Sequence, residues 1–226
     1  MKNHSKRYNE VSKNVESAKT YSLKEAVSLA KKISNLKFDS SVDLHFKLNI
    51  DPKKTDQLVR GTVALPHGTG KKIRVAVFCK GEHEKIAKEA QADYVGGLDL
   101  IEKVSGGFLD FECAISTPEM MKDLSKLGKV LGPRGLMPSP KTGTVTNDIA
   151  KAISDVKKGK IEFRVDKQGG IHVSVGRASF DEPKLYENAL KTIEAITEAK
   201  PSSVKGKFIS SLYLSSTMSP GLRIEI

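Results

Sequence analysis

Two different kinds of β-strand occur in this chain, and their order along it constrains the fold more than any other feature. Val42-Asp43-Leu44-His45-Phe46-Lys47-Leu48-Asn49-Ile50 alternates apolar and polar without a slip. A period of two describes a strand with one face on a core and the other in solvent. Lys160 to Asp166 alternates the same way, with Ile161, Phe163 and Val165 inward and Glu162, Arg164 and Asp166 outward. Gln168-Gly169-Gly170 then reads as a turn, and Ile171-His172-Val173-Ser174-Val175 as the returning partner of a hairpin. The middle differs. Ile73 to Cys79 is almost continuously apolar, and further short strands are expected at Ala92 to Val95 and Phe111 to Ser116. Helical stretches fall between and after them, at about Glu82 to Gln91, Leu98 to Val104 and Thr117 to Leu127. Strand alternating with helix predicts a parallel sheet covered on both faces.

Half-buried strands at both ends and a parallel unit between them imply an α/β protein of two domains. One is a split α+β two-layer domain built from both termini, residues 1–67 and 160–226. The other, residues 68–159, is inserted into it as a three-layer α/β domain. Breaker sequences mark both crossings, Pro66-His67-Gly68-Thr69-Gly70 and Lys157-Lys158-Gly159. Ser22-Leu23-Lys24-Glu25 is a capping box that opens a helix with Leu23, Ala26, Val27, Ala30 and Ile33 at helical spacing. Pro183 suits the first turn of a helix over Lys184 to Ala199, with Leu185, Ala189, Leu190, Ile193 and Ile196 expected on the core side.

Charge follows the same division. The net charge is +11, and the terminal segments hold +8 of it, with 23 Lys and Arg against 15 Asp and Glu. An excess of this size attracts polyanions, and it places their footprint mainly on the terminal domain. Aromatic residues are only 6% of the chain and tryptophan is absent, so the cores should be aliphatic. Cys79 and Cys113 each lie in a short apolar run, which predicts two buried thiols in a reducing compartment. They form no zinc spacing. Neither an apolar leader in MKNHSKRYNE nor a run of membrane-spanning length is seen, so a cytoplasmic protein away from membranes is expected.

Catalytic motifs fail on inspection. In Leu65 to Lys72, LPHGTGKK, the first P-loop glycine is Leu65, the last position is Lys72, and a strand follows where a phosphate-binding helix should open. Gly68-Thr69-Gly70 lacks the third glycine of a dinucleotide fingerprint. His4, His45, His67, His83 and His172 show no ligand spacing, and no serine sits in a GxSxG elbow. No enzyme activity, no cofactor and no metal is therefore expected. His45 and His172 lie on polar strand faces, where they could donate to phosphate or sugar. Lys126 to Pro138 packs three glycines, two prolines and three basic residues together, and reads either as a plain surface loop or as a rigid basic loop facing phosphates. Ser211 to Pro220 is a strand ending in small hydroxyls and a methionine, and reads either as a plain Ser/Thr-rich edge strand or as a surface suited to close contact with sugars and phosphates.

Several segments occurring in order carry a resemblance: VRGTVALPHGTGKKIRV from Val59, ADYVGG from Ala92, LGKVLGPRGLMPSPKTGTV from Leu127, KIEFRVDKQGGIHVSVG from Lys160 and SSTMSPG from Ser215. Together they resemble the bacterial form of the L-one family of ribosomal proteins, over essentially the whole chain. The resemblance implies a first domain split between the termini and a Rossmann-like inserted domain. It implies a monomer when free, resident on the ribosome, that binds large-subunit rRNA at the mobile stalk beside the tRNA exit site. It also implies translational repression through a messenger of its own operon, and transient contact with exit-site tRNA. The family's RNA patch falls on Lys37, Phe38, Asp39 and Ser41, on the hairpin around Arg164, Lys167 and His172, and on Ser216, Thr217, Met218 and Ser219. Where this chain has Ser219 the family usually has glycine, so a residue suited to positive φ is replaced there, with Gly221 expected to compensate in part.

Overall fold

The computed structural model describes residues 5–16, 19–204 and 206–225. His4 lies outside them, as do the extreme ends of the terminal domain. The elements in chain order are α1 (Lys6–Lys13), α2 (Leu23–Ile33), β1 (Ser41–Leu48), β2 (Arg60–Ala64), β3 (Val75–Phe78), α3 (Glu82–Glu89), β4 (Tyr94–Gly96), α4 (Leu98–Ser105) and β5 (Cys113–Ser116). They continue with α5 (Met121–Leu124), α6 (Gly128–Leu131), α7 (Ile149–Lys157), β6 (Lys160–Arg164), β7 (Gly170–Arg177), α8 (Glu182–Glu198), β8 (Ile209–Ser216) and β9 (Leu222–Ile224). The chain forms two compact units: one reaches up to Gly70 and resumes at Ile161, and the other is Lys71–Lys160.

In the first unit β7, β1, β8 and β9 form an antiparallel sheet in that order. β1 comes from the first half of the chain, yet both its neighbours come from the second. This interleaving is what makes the unit discontinuous. Val42, Leu44, Phe46 and Leu48 point into the core at 2% exposure or less, as the alternation requires. α2 packs on β8 and β9, and α8 on β7, which makes two layers. The capping box is formed: Ser22 Oγ accepts from Glu25 N–H, and the Glu25 carboxylate accepts from Ser22 N–H at 3.2 Å.

Two expectations about this unit are corrected. β6 does not pair with β7 as a hairpin. It forms a separate two-stranded sheet with β2, while β7 takes the edge of the main sheet beside β1. The turn itself is closed, with Asp166 N–H donating to Gly170 C=O at 2.8 Å and the Asp166 carboxylate accepting from Gln168 N–H and Gly170 N–H, but the strands beyond it take other partners, β7 pairing with β1 and β6 with β2. The second correction is in α8. Leu190 is 40% exposed, while Asn188 and Thr192 are fully buried. The Thr192 hydroxyl bonds back to Asn188 C=O at 2.8 Å, and Asn188 has work inside the core that an apolar residue could not do.

In the second unit β4, β3 and β5 form a parallel sheet in that order. Ala76 and Phe78 of β3 face the apolar cluster that holds Leu100, Val104, Leu124 and Leu131. Val75 and Val77 face the other cluster, with Ala87, Ile149, Ile153 and Val156. Both faces are covered, which gives three layers and explains why β3 is continuously apolar. The helix expected over Thr117–Leu127 is instead broken into short α and tighter turns that run on to Leu131, so Lys126–Leu131 is helical, not loop. α7 completes this layer. Its signal was present, with Asp148 capping Lys151 N–H and apolar residues at 149, 152, 153 and 156. Cys79 is buried, and desolvation pushes its thiol up to about 11. Cys113 is only half-buried, contrary to expectation, because β5 is an edge strand.

Candidate nucleic-acid interface

β8 ends in a tight turn at Ser216–Ser219, closed by a bond from Ser219 N–H to Ser216 C=O at 3.0 Å. Its third residue, Met218, has φ of +59°. A positive φ at that position after an ordinary second residue makes a type II turn, which normally takes glycine there. A side chain with a Cβ is strained in this conformation. Met218 is also 68% exposed, so the strained residue presents its thioether side chain to solvent.

The turn is clamped to the start of β1. Thr217 Oγ1 accepts from Ser41 N–H at 3.2 Å, lies 3.0 Å from Ser41 Oγ, and Thr217 N–H donates to Ser41 C=O at 3.0 Å. Ser219 holds it from the inside. Its hydroxyl lies 2.6 Å from Ser216 Oγ, accepts from Ser216 N–H and donates to Ser216 C=O. So Ser219 does not carry the left-handed conformation that the missing glycine suggested; Met218 does, and the serine hydroxyl braces the turn. Arg7 of α1 donates to Met218 C=O, which sets a guanidinium beside the exposed methionine. Arg7 was not singled out in the sequence, since nothing in a short basic helix indicates where it packs.

Asp39 is fixed by the protein itself. Its carboxylate accepts from Ser179 N–H and Ser179 Oγ, and its carbonyl from Arg177. That anchors the segment in front of β1. Lys37 and Phe38 project from it, and Phe38 is 52% exposed, so this ring is not a core residue.

A second group lies farther along the same outward face of the sheet. His45 and His172 face each other across β1 and β7 with Nδ1 atoms 2.9 Å apart. His45 Nε2 is 2.8 Å from Ser215 Oγ, and His172 Nε2 is 3.8 Å from the Asp166 carboxylate. The backbone N–H of Gly170 above all holds the Asp166 carboxyl below the usual carboxylate range, helped by Gln168 N–H, His172 and Lys47. Lys47 donates to Gln168 C=O, and Lys167 is exposed at the tip of that turn. Arg164 is exposed too, but it sits on the two-stranded sheet with β2, so it is not part of this face. Of the candidate residues, the fold thus gathers Ser41, Ser216, Thr217, Met218 and Ser219 into one cluster, with His172 on the same sheet.

The two Nδ1 atoms, 2.9 Å apart, are at hydrogen-bond distance, with His45 the more buried of the pair. Burial lowers the His45 pKa below its ordinary 6.5, and the His172 charge adds to this, with Asp43 opposing. The folded state therefore binds this proton less readily than the unfolded chain, and its stability falls as pH drops from about 7 through that ordinary value. Urea midpoints measured at about pH 7.5 and 5.5 should show a drop in the wild type that is smaller in His45→Gln; an identical drop in both would assign it to other groups.

The comparison with known proteins bears on this surface. Residues 29–220 match the Ribosomal protein L1p/L10e family. The chain belongs to the ribosomal protein L1 family. Large ribosomal subunit protein uL1 of Thermosipho melanesiensis is 57% identical over 226 residues, all of this chain and 97% of its relative. The uL1 proteins of Protochlamydia amoebophila and Thermobifida fusca are 53% and 51% identical, each over 98% of this chain and 94% of theirs. L1-family proteins are structural and non-enzymatic, and this one is no enzyme. Among the described residues no helix is long and apolar enough to cross a membrane, and no group of three His, Cys, Asp or Glu is placed to hold a metal ion.

Proposed function

We propose that this L1-family protein is a constituent of the large ribosomal subunit, held there by its first unit on large-subunit rRNA. The observation that carries the reading is the Ser216–Ser219 turn. A strained, exposed Met218 is clamped by Thr217 and Ser41 and flanked by Arg7. Strain in a surface turn persists only where the surroundings impose it, and such positions cluster at functional sites. The clamp presents hydroxyls, backbone and a thioether as one rigid shape. It suits an RNA of defined fold, because it offers close contact in place of base-edge reading. Lys37 and Lys167 neutralise phosphates at this face and Arg164, on the two-stranded sheet, one beyond it; Phe38 packs on a sugar or base, Ser41, His172, Thr217, Met218 and Ser219 make the close contacts, and Ser216, 2% exposed, braces the turn from within. Asp39 acts by holding the Lys37–Phe38 segment in place.

The same surface serves a messenger of the protein's own operon that imitates the rRNA site, and so represses translation. Exit-site tRNA is a transient further partner at the stalk. Free in the cytoplasm, the protein is a monomer.

Footprinting on purified large-subunit rRNA tests the reading, with random duplex RNA as competitor at rising salt. A single protected region that survives the competitor is expected; uniform protection would reduce the protein to a nonspecific basic binder. In the same assay Lys167→Ala should lower the salt slope by about one phosphate contact. An unchanged slope would remove Lys167 from the interface.

A further inference from the structure

The outward face of the main sheet carries a row that the Met218 turn does not use. β1 and β8 pair so that His45 lies opposite Tyr213, β1 and β7 so that it lies opposite His172, and β8 and β9 so that Tyr213 lies opposite Arg223. His172, His45, Tyr213 and Arg223 therefore stand side by side across all four strands. Each sits at an outward position between buried neighbours, such as Leu212 and Leu214 around Tyr213 or Leu222 and Ile224 around Arg223. The two helices that cover this sheet pack on its other side.

The row is planar chemistry throughout: two imidazoles, a phenol and a guanidinium. The imidazole rings are 5.1 Å apart between centroids and tilted by 58°. The flanking residues fix the rings. Ser215 and Asp166 bracket the histidines. Tyr213 remains 37% exposed, an unusual solvent-facing aromatic in a chain with few of them. Strands lie about 4.8 Å apart, so the row spans roughly 14 Å, room for two or three bases.

We propose that this row is a stacking platform for unpaired nucleotides of the bound RNA. Aromatic rings and guanidinium planes in register on an open four-stranded sheet stack bases that have left their helix. A duplex keeps its bases stacked on each other and offers the row nothing but its backbone. The proposal rests on the RNA-binding reading and adds the class of nucleotide recognised. Thr217 and Met218 grip the folded shape, and the sheet row takes the bases that the shape turns out.

The chain has no tryptophan, so Tyr213→Trp places a single indole in the row. Titration with a large-subunit rRNA fragment should quench its fluorescence in a saturable way. A blunt RNA duplex of unrelated sequence, bound at low salt, should leave it nearly unchanged. In the full chain Tyr213→Leu should weaken fragment binding roughly tenfold to a hundredfold, with Tyr213→Phe within about twofold of the wild type and all three salt slopes equal. Tight fragment binding without quenching, or equal quenching by the duplex, overturns the platform and leaves the turn as the binding site. Failure of the wild-type chain to prefer the fragment overturns the RNA-binding reading beneath it.

Discussion

Met218→Gly is expected to weaken rRNA binding about 10- to 100-fold and, in the same protein, to stabilise the fold by about 1 kcal/mol. The two effects have separate origins. Met218 is 68% exposed in the free protein, so an RNA that covers it gains the burial of a thioether side chain, roughly 1.5–3 kcal/mol when complete. Glycine removes that gain. Glycine also removes the strain of a Cβ at φ +59°, since it enters the left-handed region at no steric cost. The Ser219 and Thr217 bonds are made by backbone and hydroxyls, so they survive the change. Filter binding and urea unfolding of the same preparation check it. A variant that loses both affinity and stability would mean that the methionine packs on its own protein and is not held out for a ligand.

Asn188→Ala should cost about 3 kcal/mol and lower the unfolding midpoint by roughly 6–12 °C. Asn188 is fully buried on α8, and its amide is used at both ends. Its Nδ2 donates to Val175 C=O at 2.8 Å and to Gly68 C=O at 3.0 Å, and its Oδ1 accepts from His67 N–H at 3.1 Å. Alanine removes the partner of all three backbone groups, and at Val175, where the bond is fully buried, a group without a partner is more costly than the bond it lost. The same amide ties His67 and Gly68, where the chain is about to leave the first unit, to both β7 and α8. Backbone hydrogen exchange at residues 67 and 68 should therefore accelerate along with the loss of stability. A loss below 1 kcal/mol would show that water replaces the amide at this position.

The core pattern of the first strand needed only periodicity to read. The unbroken alternation from Val42 to Ile50 placed every second residue of β1 on the core, and all of Val42, Leu44, Phe46 and Leu48 are there. The capping box at Ser22 was legible because its two bonds are made within four residues. The buried middle strand was legible because both its faces are apolar, whatever covers them. The limit appears at Asp166. Two alternating strands flanking a glycine turn satisfy the local rules of a hairpin, and nothing within seven residues reveals that the returning strand pairs with β1 instead.

The candidate site divides along the same line. Hydroxyls and a methionine after a strand marked Ser216 to Ser219, yet the left-handed residue is Met218 and not the position where a glycine was missing. A φ angle depends on where the chain is pulled, and here the pull comes from Ser41, far away in sequence. Arg7, Tyr213 and Arg223 were invisible for the same reason. Each is an ordinary residue in its own segment, and only strand register makes His172, His45, Tyr213 and Arg223 neighbours. By itself the sequence determined which faces of most segments are buried, because hydrophobic burial follows local periodicity; α8 departs from it, with Asn188 and Thr192 in the core and Leu190 exposed. That both ends of the chain share one domain was legible too, but which strands pair within it was decided only by the tertiary structure, because placing β1 between β7 and β8 is a choice among long-range partners that satisfy the same local pattern equally well.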